Sequence, residues 1–351
     1  MLHPVVLARP TRGAGASSAL NQYAFSGTLA VQDITCDFTS GTSASRVATR
    51  LSGSAESDAF LFALCTTPVG PRQTGAFGFP EIPSTGGGPD VDASAWVFIS
   101  LPLLEDLRVL EANITLDASI APLPGEWSEE ASDAWEASLS LVDDLSAKLQ
   151  RHIRQVWVTH SPGVACPREI ESAGYRRAFT ELQAKVRLAD AVAQAHLAYD
   201  LKFPDSVAHE MATLYTAASA GLPRGELILD TIAWSPQRII DASKRLRDKG
   251  GEQITAYDVV GGHVVAFSEV MRFAGAEESV IELGATYVLD GFRGRGFGRK
   301  VMMAAIQEAR KRWPEVSVGY TSYPAASKEI SHLNKELGEE VISATTAWQK
   351  L

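Results

Sequence analysis

Cysteine is scarce in this sequence of 351 residues. The three cysteines, Cys36, Cys65 and Cys166, lie far apart and form no Cys-x-x-Cys pair. The seven histidines also lack the spacing of metal ligands. Neither a disulfide framework nor a zinc site is therefore expected, and no metal cofactor is predicted.

Long hydrophobic runs and an excess of basic residues are absent as well. No apolar segment approaches the roughly 20 residues of a membrane span. Near the N-terminus the apolar patch from Val5 to Ala8 is too short for a secretory signal, so a cytoplasmic protein without membrane contact is expected. The formal net charge of -10 argues against a general nucleic-acid binder.

The most informative segment that is present is short, basic and rich in glycine. It reads Arg293-Gly294-Arg295-Gly296-Phe297-Gly298, after an apolar segment from Ile281 to Leu289 and before a helical pattern that begins at Arg299. Glycines let successive backbone N–H groups turn toward one point, and the following helix adds its positive N-terminal dipole. With Arg299 and Lys300 the arginines form a positive cluster, so we expect a phosphate or polyphosphate ligand.

The spacing excludes other glycine-rich phosphate loops. The dinucleotide fingerprint needs a wider final gap, and the nucleotide-triphosphate loop needs a Gly-Lys-Ser/Thr ending. The pattern here is Arg-x-x-Gly-x-Gly, followed by the apolar run Val301–Ile306. With its flanking strand and helix it resembles the acyl-CoA pyrophosphate loop of the GNAT superfamily of acyl-CoA-dependent N-acyltransferases. The plain alternative is a solvated turn.

The C-terminal tail resembles a two-domain bacterial branch of that superfamily. The residues that agree with its motif are Thr321, Asn334, Leu337 and Gly338, with Ile330 in place of a methionine. The departures are Tyr323 and Ser327 for two asparagines, Pro324 for an alanine, and Glu339 for a phenylalanine. Asn334 stands where many members have a tyrosine that acts as general acid, so that role is empty or filled elsewhere.

The resemblance implies two sets of site residues. The cofactor-binding set comprises Tyr287, Val288, Leu289, Arg293, Gly294, Arg295, Gly296, Phe297, Gly298, Arg299 and Asn334. Within it a backbone N–H between Tyr287 and Leu289 is expected to face the thioester carbonyl. The catalytic set comprises Glu282 as base and Tyr320 or Tyr323 as acid. An outward-facing glutamate and two packing tyrosines are the alternatives.

The predicted fold class is α/β (α+β), with two tandem GNAT-like domains, each a mixed, mostly antiparallel twisted sheet flanked by helices. The predicted boundaries are a flexible arm over 1–22, a degenerate domain over 23–188 and a domain with the acyl-CoA loop over 189–351. In the first half, a helix is predicted from Arg168 to Val186. The segment Pro122–Trp127 has two prolines that lack N–H donors and no arginine, so this half should not hold CoA there. An unrelated α+β domain is the alternative.

The resemblance implies an acyl-CoA-dependent N-acyltransferase that uses acetyl-CoA by default and transfers the acyl group directly to an amine of a small molecule. The alternatives are a non-catalytic acyl-CoA-binding protein and a biosynthetic tailoring transferase with an unusual acyl donor. The expected partners are acyl-CoA and the amine, with no nucleic acid, in a monomer or homodimer.

Overall fold

The computed structural model describes residues 1–11, 13–70, 73–88, 90–188, 193–274 and 277–351. The chain divides into two compact units. The first comprises Met1–Thr180, Gly225–Asp230 and Ile342–Leu351, and the second comprises Glu181–Arg224 and Thr231–Val341. Within the described ranges no helix combines the length and hydropathy needed to cross a membrane.

The first unit is built on a mixed sheet with helices on both faces. Its strands are β1 (His3–Leu7), β2 (Ser57–Cys65), β3 (Glu81–Ile82), β4 (Ala93–Pro102), β5 (Val109–Leu116) and β6 (Ile153–His160), joined by the C-terminal strand of the chain, β13 (Glu340–Lys350). Its helices are α1 (Ser18–Thr35), α2 (Ala44–Leu51), α3 (Glu129–Leu149) and α4 (Arg168–Ser172). The strand order is β3-β1-β2-β4-β5-β6-β13.

The second unit repeats this plan. Its strands are β7 (Arg176–Arg187), which enters this unit at Glu181, β8 (His196–Tyr199), β9 (Gly251–Val260), β10 (His263–Phe273), β11 (Val280–Val288) and β12 (Val318–Pro324). Its helices are α5 (Asp205–Gly221), α6 (Pro236–Asp248), α7 (Phe297–Arg312) and α8 (Lys328–Glu336). The strand order is β7-β12-β11-β10-β9-β8, in which β11 and β12 are parallel and the other neighbours antiparallel.

Each sheet buries apolar side chains on both faces. In the second unit, α7 covers one face with Val301, Ile306 and Ala309 over Ile281. The opposite face, against α5, carries a second cluster that includes Tyr215 and Phe267. We call these the α7 face and the α5 face. In the first unit, α3 covers one face, and α1 and α2 cover the other.

The predicted N-terminal arm is wrong. Residues 3–7 form β1, which pairs with β2 from His3↔Cys65 to Val6↔Phe62. Val5 and Val6 are buried, so this strand is held by apolar contacts as well as by backbone bonds. Ser17 then caps α1 by accepting from the Leu20 N–H. The apolar patch from Val5 to Ala8, which is too short for a signal sequence, is thus long enough to anchor an ordered strand.

The predicted domain boundaries also need correction. The chain's last strand, β13, pairs with β6 in the first unit, from Ala344↔His160 to Lys350↔Arg154. Strand β7 pairs with β12 in the second unit, from Val318↔Arg187 to Pro324↔Glu181. The predicted boundary at 188 therefore assigns β7 to the first domain and β13 to the second, whereas most of β7 lies in the second unit and most of β13 in the first. The adjoining residues 189–192 lie outside the described residues.

The helix predicted from Arg168 to Val186 is a short helix followed by a strand. Helix α4 ends at Ser172, and Gly174 adopts a positive φ of 86°, which turns the chain away from a helix. The residues after it have good helix propensity, but they pair with β12 and bury Ala184 and Val186 at alternate positions. Tertiary pairing outweighs local propensity here.

Candidate functional site

Strands β11 and β12 separate part-way along the sheet of the second unit. Their parallel pairing runs from Val280↔Val318 to Leu283↔Thr321. Beyond this point β11 continues to Val288 and β12 to Pro324. The pairing of β11 with β10 is irregular at the same level, between Ser268 and Val270. A gap therefore opens between the carboxyl ends of two neighbouring strands.

The backbone of β11 directs N–H groups into this gap. The Leu289 N–H donates to the Val265 carbonyl in β10 at 2.9 Å. Because alternate N–H groups of a strand point to opposite sides, the Tyr287 N–H also faces β10, whereas the Thr286 and Val288 N–H groups face the gap. Of the three residues predicted to supply the carbonyl-facing N–H, the geometry therefore favours Val288.

The loop after β11 has the glycine conformations that the motif predicts. Gly294 and Gly296 adopt φ values of 72° and 80°, and no atom lies within 4 Å of a Cβ built on either. Gly298 is different, because a Cβ there would point into the protein, 3.4 Å from Val288 Cγ2 and 3.8 Å from Leu333 Cδ1. The first two glycines serve the turn, and the third permits close packing of α7 on β11.

Helix α7 begins at this loop without a side-chain cap. Gly296 occupies the N-cap position and provides no side-chain acceptor. The first intrahelical bond runs from the Lys300 N–H to the Gly296 carbonyl at 3.0 Å. The N–H groups of Phe297, Gly298 and Arg299 therefore have no intrahelical acceptor and lie at the positive end of a 16-residue helix. An anion would satisfy them.

The basic residues of the loop are more constrained than the sequence suggested. Arg293 donates to the Val288 carbonyl at 3.1 Å and forms an ion pair with the exposed Asp290 at 2.9 Å. Arg299 and Lys300 form ion pairs of 2.6 Å with Glu336 and Asp258.

Arg295 is the exposed cation that remains available at the loop. Its guanidinium lies 5.6 Å from the centre of the Phe292 ring, and within the described part of the chain it has no acidic partner. The available positive charge is therefore concentrated in Arg295 and the helix N-terminus rather than in four side chains.

Helix α8 lies against the start of α7. The Arg299–Glu336 ion pair and the packing of Leu333 beside Gly298 join the two helices. Asn334 in α8 is fully buried, and neither its Nδ2 nor its Oδ1 has a hydrogen-bond partner among the described residues. Such an amide is costly unless a ligand or water satisfies it. The structure thus brings Asn334 close to the predicted phosphate loop.

The predicted catalytic residues lie on opposite faces of the sheet. Glu282 is paired with Met271 in β10 and with Tyr320 in β12, so all three side chains project to the α5 face. Tyr323 is three positions after Tyr320 and projects to the α7 face. The Tyr287 side chain packs on the α5 face, against the backbone of Gly221.

The hydroxyl of Tyr323 is engaged with a neighbouring carboxylate. It donates to Glu339 Oε1 at 2.6 Å, and the side chain is buried. Burial, followed by the contact with Glu339, raises the pKa of Tyr323 to about 12. The hydroxyl therefore stays protonated at neutral pH.

Sequence reasoning missed a glutamate on the α5 face. Glu269 in β10 accepts from the Tyr215 hydroxyl at 2.7 Å and from Gln253 Nε2 at 2.9 Å. Burial raises the pKa of Glu269 to about 7, against the lowering effect of these two donors. The available signal was a single acidic residue inside the largely apolar run from Val264 to Met271.

The corresponding loop of the first unit differs in its local chemistry. Strand β5 pairs with β6 from Val109↔Ile153 to Asn113↔Trp157, which repeats the parallel pair of the second unit. Here, however, Ser128 caps α3 by accepting from the Ala131 N–H at 3.1 Å, and two glutamates occupy the first helical turn. Ser128 satisfies one N–H of this N-terminus, and the two carboxylates repel an anion.

Comparison with known proteins identifies the second unit. Residues 223–322 match the model of the acetyltransferase (GNAT) family. The chain contains a GNAT domain. That family uses acyl-CoA and an acceptor substrate, so acyl transfer is its general chemistry.

Solved structures extend the likeness to the whole chain. A tandem GNAT protein from the clavulanic acid biosynthesis pathway, solved without AcCoA, superposes with a TM-score of 0.63 at 15% identity, covering 99% of this chain and 98% of that one. A GCN5-related N-acetyltransferase from Sphaerobacter thermophilus gives 0.58 at 16% identity, covering 98% and 96%. At these identities the likeness establishes the fold, which confirms two tandem GNAT-like domains. No curated protein sequence matches significantly.

Proposed function

We propose that this chain is an acyl-CoA-dependent N-acyltransferase, with acetyl-CoA as the default donor and the amine of a small molecule as acceptor. The observation that carries the proposal is the uncapped start of α7. Three N–H groups without intrahelical acceptors follow two glycines with positive φ, at the end of a strand whose Val288 N–H faces a gap in the sheet.

The described residues fit the two ends of an acyl-CoA molecule. The N–H groups of residues 297–299, with Arg295 beside them, offer donors to the pyrophosphate. The Val288 N–H offers a donor to the thioester carbonyl, where it would stabilise the oxyanion that develops as the amine attacks. Arg293 donates to the Val288 carbonyl at 3.1 Å and so fixes the orientation of the next peptide unit, Val288–Leu289.

Proton transfer is assigned to the α5 face. Tyr320 is the better candidate for the acid that protonates the leaving thiolate, because it shares that face with Glu282, whereas the Tyr323 hydroxyl is already donated to Glu339. Glu282 remains a candidate base. Transfer is direct from thioester to amine, which requires no covalent enzyme intermediate.

We propose that the first unit has lost the ability to bind acyl-CoA at its own loop. The Ser128 cap and the two glutamates of the first turn occupy the place that an anion would need. One bound CoA per chain is therefore expected.

A second candidate function is acyl-CoA binding without catalysis. It is favoured by Asn334, which cannot protonate a thiolate, and by the engagement of Tyr323 with Glu339. A tailoring transferase with an unusual acyl donor is the other alternative, since the same replacements alter the motif around the gap.

The test is release of free CoA thiol from acetyl-CoA in the presence of a panel of primary amines. We expect amine-dependent release that is lost in Gly296→Glu, whose carboxylate would lie at the anion position. Tight acetyl-CoA binding without release for any amine would support the non-catalytic alternative. Release with a longer acyl-CoA alone would support the unusual donor.

A further inference from the structure

Glu269 has one anchored oxygen and one that faces strand β11. Its Oε1 accepts from the Tyr215 hydroxyl at 2.7 Å and from Gln253 Nε2 at 2.9 Å. A Cβ built on Gly284 would lie 3.5 Å from Glu269 Oε2 and 3.1 Å from both Glu269 Cβ and Met271 Cε. The second oxygen therefore faces the backbone of residue 284, with the Met271 side chain beside the same position.

This oxygen lies where the two parallel strands part. Gly284 is the first residue of β11 after the last paired position, Leu283. The N–H groups that face the gap belong to Thr286 and Val288, two and four residues further on. At ~3.3 Å per residue these positions are at most roughly 7–13 Å from Gly284, a distance that one water molecule, the amine and the thioester carbonyl span together.

We propose that Glu269 is the catalytic base that takes a proton from the acceptor ammonium group, either directly or through one water molecule. Tyr215 and Gln253 are positioning residues that hold its Oε1. This inference rests on the proposed function and names a residue of the same site. It replaces Glu282 in the role of base, because Oε1 of Glu269 is held by two donors while its Oε2 faces the position where β11 and β12 part.

The proton balance is complete with groups of this chain. Glu269 takes one proton from the ammonium group, and the freed lone pair forms the C–N bond. The C–S bond then breaks as the oxyanion collapses, and the electron pair leaves on the CoA thiolate. The thiolate is protonated through Tyr320, which is replenished by the second proton lost from the attacking nitrogen.

The surroundings of Glu269 suit a base that operates near neutral pH. Burial raises its pKa to about 7, near the optimum for general-base catalysis under these conditions. The titratable groups on the same face are Tyr215 from α5, Tyr257 from β9, Glu282 and Tyr287 from β11, and Tyr320 from β12. Turnover should therefore rise with pH through about 7 as the carboxylate forms.

The test compares Glu269→Gln and Glu282→Gln in the full chain, with acetyl-CoA and the amine panel between pH 5.5 and 9. In Glu269→Gln we expect kcat to fall by about 10²–10⁴-fold, with loss of the acidic limb of the pH profile and a CoA dissociation constant within about twofold of the original. Glu315→Gln, which changes an exposed glutamate paired with Arg272, should leave the profile unchanged.

Tyr215→Phe distinguishes catalysis from simple structural support. It removes a donor that lowers the pKa of Glu269, so the acidic limb should move to higher pH while the plateau kcat is retained. An acidic limb that stays in place would contradict the positioning role. If kcat of Glu269→Gln stays within threefold of the original and the acidic limb of its pH profile is intact, the proposal is overturned. Loss of the acidic limb in Glu282→Gln would transfer the role of base to Glu282.

Infrared titration needs no acceptor amine. The protonated-carboxyl stretch that disappears in Glu269→Gln should titrate with a midpoint near pH 7 in the unsubstituted protein, and a carboxyl that remains ionised at pH 5 would overturn the assignment. Failure of the proposed function is a separate result, because the unsubstituted protein would then release no CoA thiol with any amine, whether or not it bound acetyl-CoA.

Discussion

Two glycines of the loop should respond in opposite ways to the same added methyl group. Gly296 has a φ of 80°, whereas Gly298 has no positive φ and lies in the first turn of α7. In Gly296→Ala the left-handed conformation costs about 1–2 kcal/mol. In Gly298→Ala the better helix propensity of alanine contributes about 0.5–1 kcal/mol, because the added Cβ meets nothing closer than Val288 Cγ2 at 3.4 Å.

The same geometry predicts the effects on CoA binding. If the loop of Gly296→Ala relaxes when empty, binding must restore the strained turn, so the dissociation constant rises by about 5–30-fold for a cost of about 1–2 kcal/mol. In Gly298→Ala the methyl group points toward Val288 and Leu333, away from the N–H groups, so affinity should change by less than about twofold.

Thermal unfolding and calorimetric titration with CoA measure both effects. For Gly296→Ala the expected result is a total cost of about 1–2 kcal/mol, divided between a lower melting temperature and weaker binding. For Gly298→Ala it is a higher melting temperature with unchanged binding. Equal loss of binding in both variants would refute the separation of a turn glycine from a packing glycine.

Three further predictions concern the same domain. Arg293→Glu combined with Arg295→Glu should abolish CoA binding while the fold persists. Lys244→Glu with Lys249→Glu, an equal charge change on α6 and at its C-cap, should leave binding intact, and equal losses would indicate a general charge effect. Asn334→Leu should raise the free energy of unfolding by about 1–3 kcal/mol, because a buried amide without partners is removed. It should also weaken CoA binding at least fivefold, and a less stable protein would contradict this reasoning. Tyr323→Phe should lower the free energy of unfolding by about 1–2 kcal/mol, because the hydrogen bond to Glu339 is lost, and should retain turnover. Loss of turnover at unchanged CoA affinity would instead identify Tyr323 as the acid.

Local sequence signals predicted the elements around the loop well. The apolar segment before Arg293 is β11, and the helix after Gly296 is α7, which ends at Arg312 before Pro314. The Ser235-Pro236 pair also begins a helix, with Ser235 capping the Arg238 N–H. In each case the deciding chemistry, a cap, a proline or a glycine with positive φ, lies within a few residues.

Elements whose state depends on distant partners were not predictable in this way. Strand β7 has helix-forming residues and becomes a strand because β12 pairs with it. The N-terminal strand β1 is ordered by β2, more than 50 residues away. Neither partner is visible in a local window of sequence.

The site shows the same division. The loop glycines and Asn334 were found from motifs, but Glu269 depends on Tyr215 and Gln253, which lie in other elements. Among the predicted catalytic residues, a count of alternating positions would have placed Tyr320 and Tyr323 on opposite faces of β12. The hydrogen bond from Tyr323 to Glu339 required the fold.

The central claim is that one acyl-CoA molecule binds at the start of α7. Calorimetric titration of the purified protein with acetyl-CoA, and separately with CoA, tests it most directly. We expect micromolar binding at one site per chain, lost in Gly296→Glu. Absence of binding for both ligands, or a second site that persists in Gly296→Glu, would contradict this account.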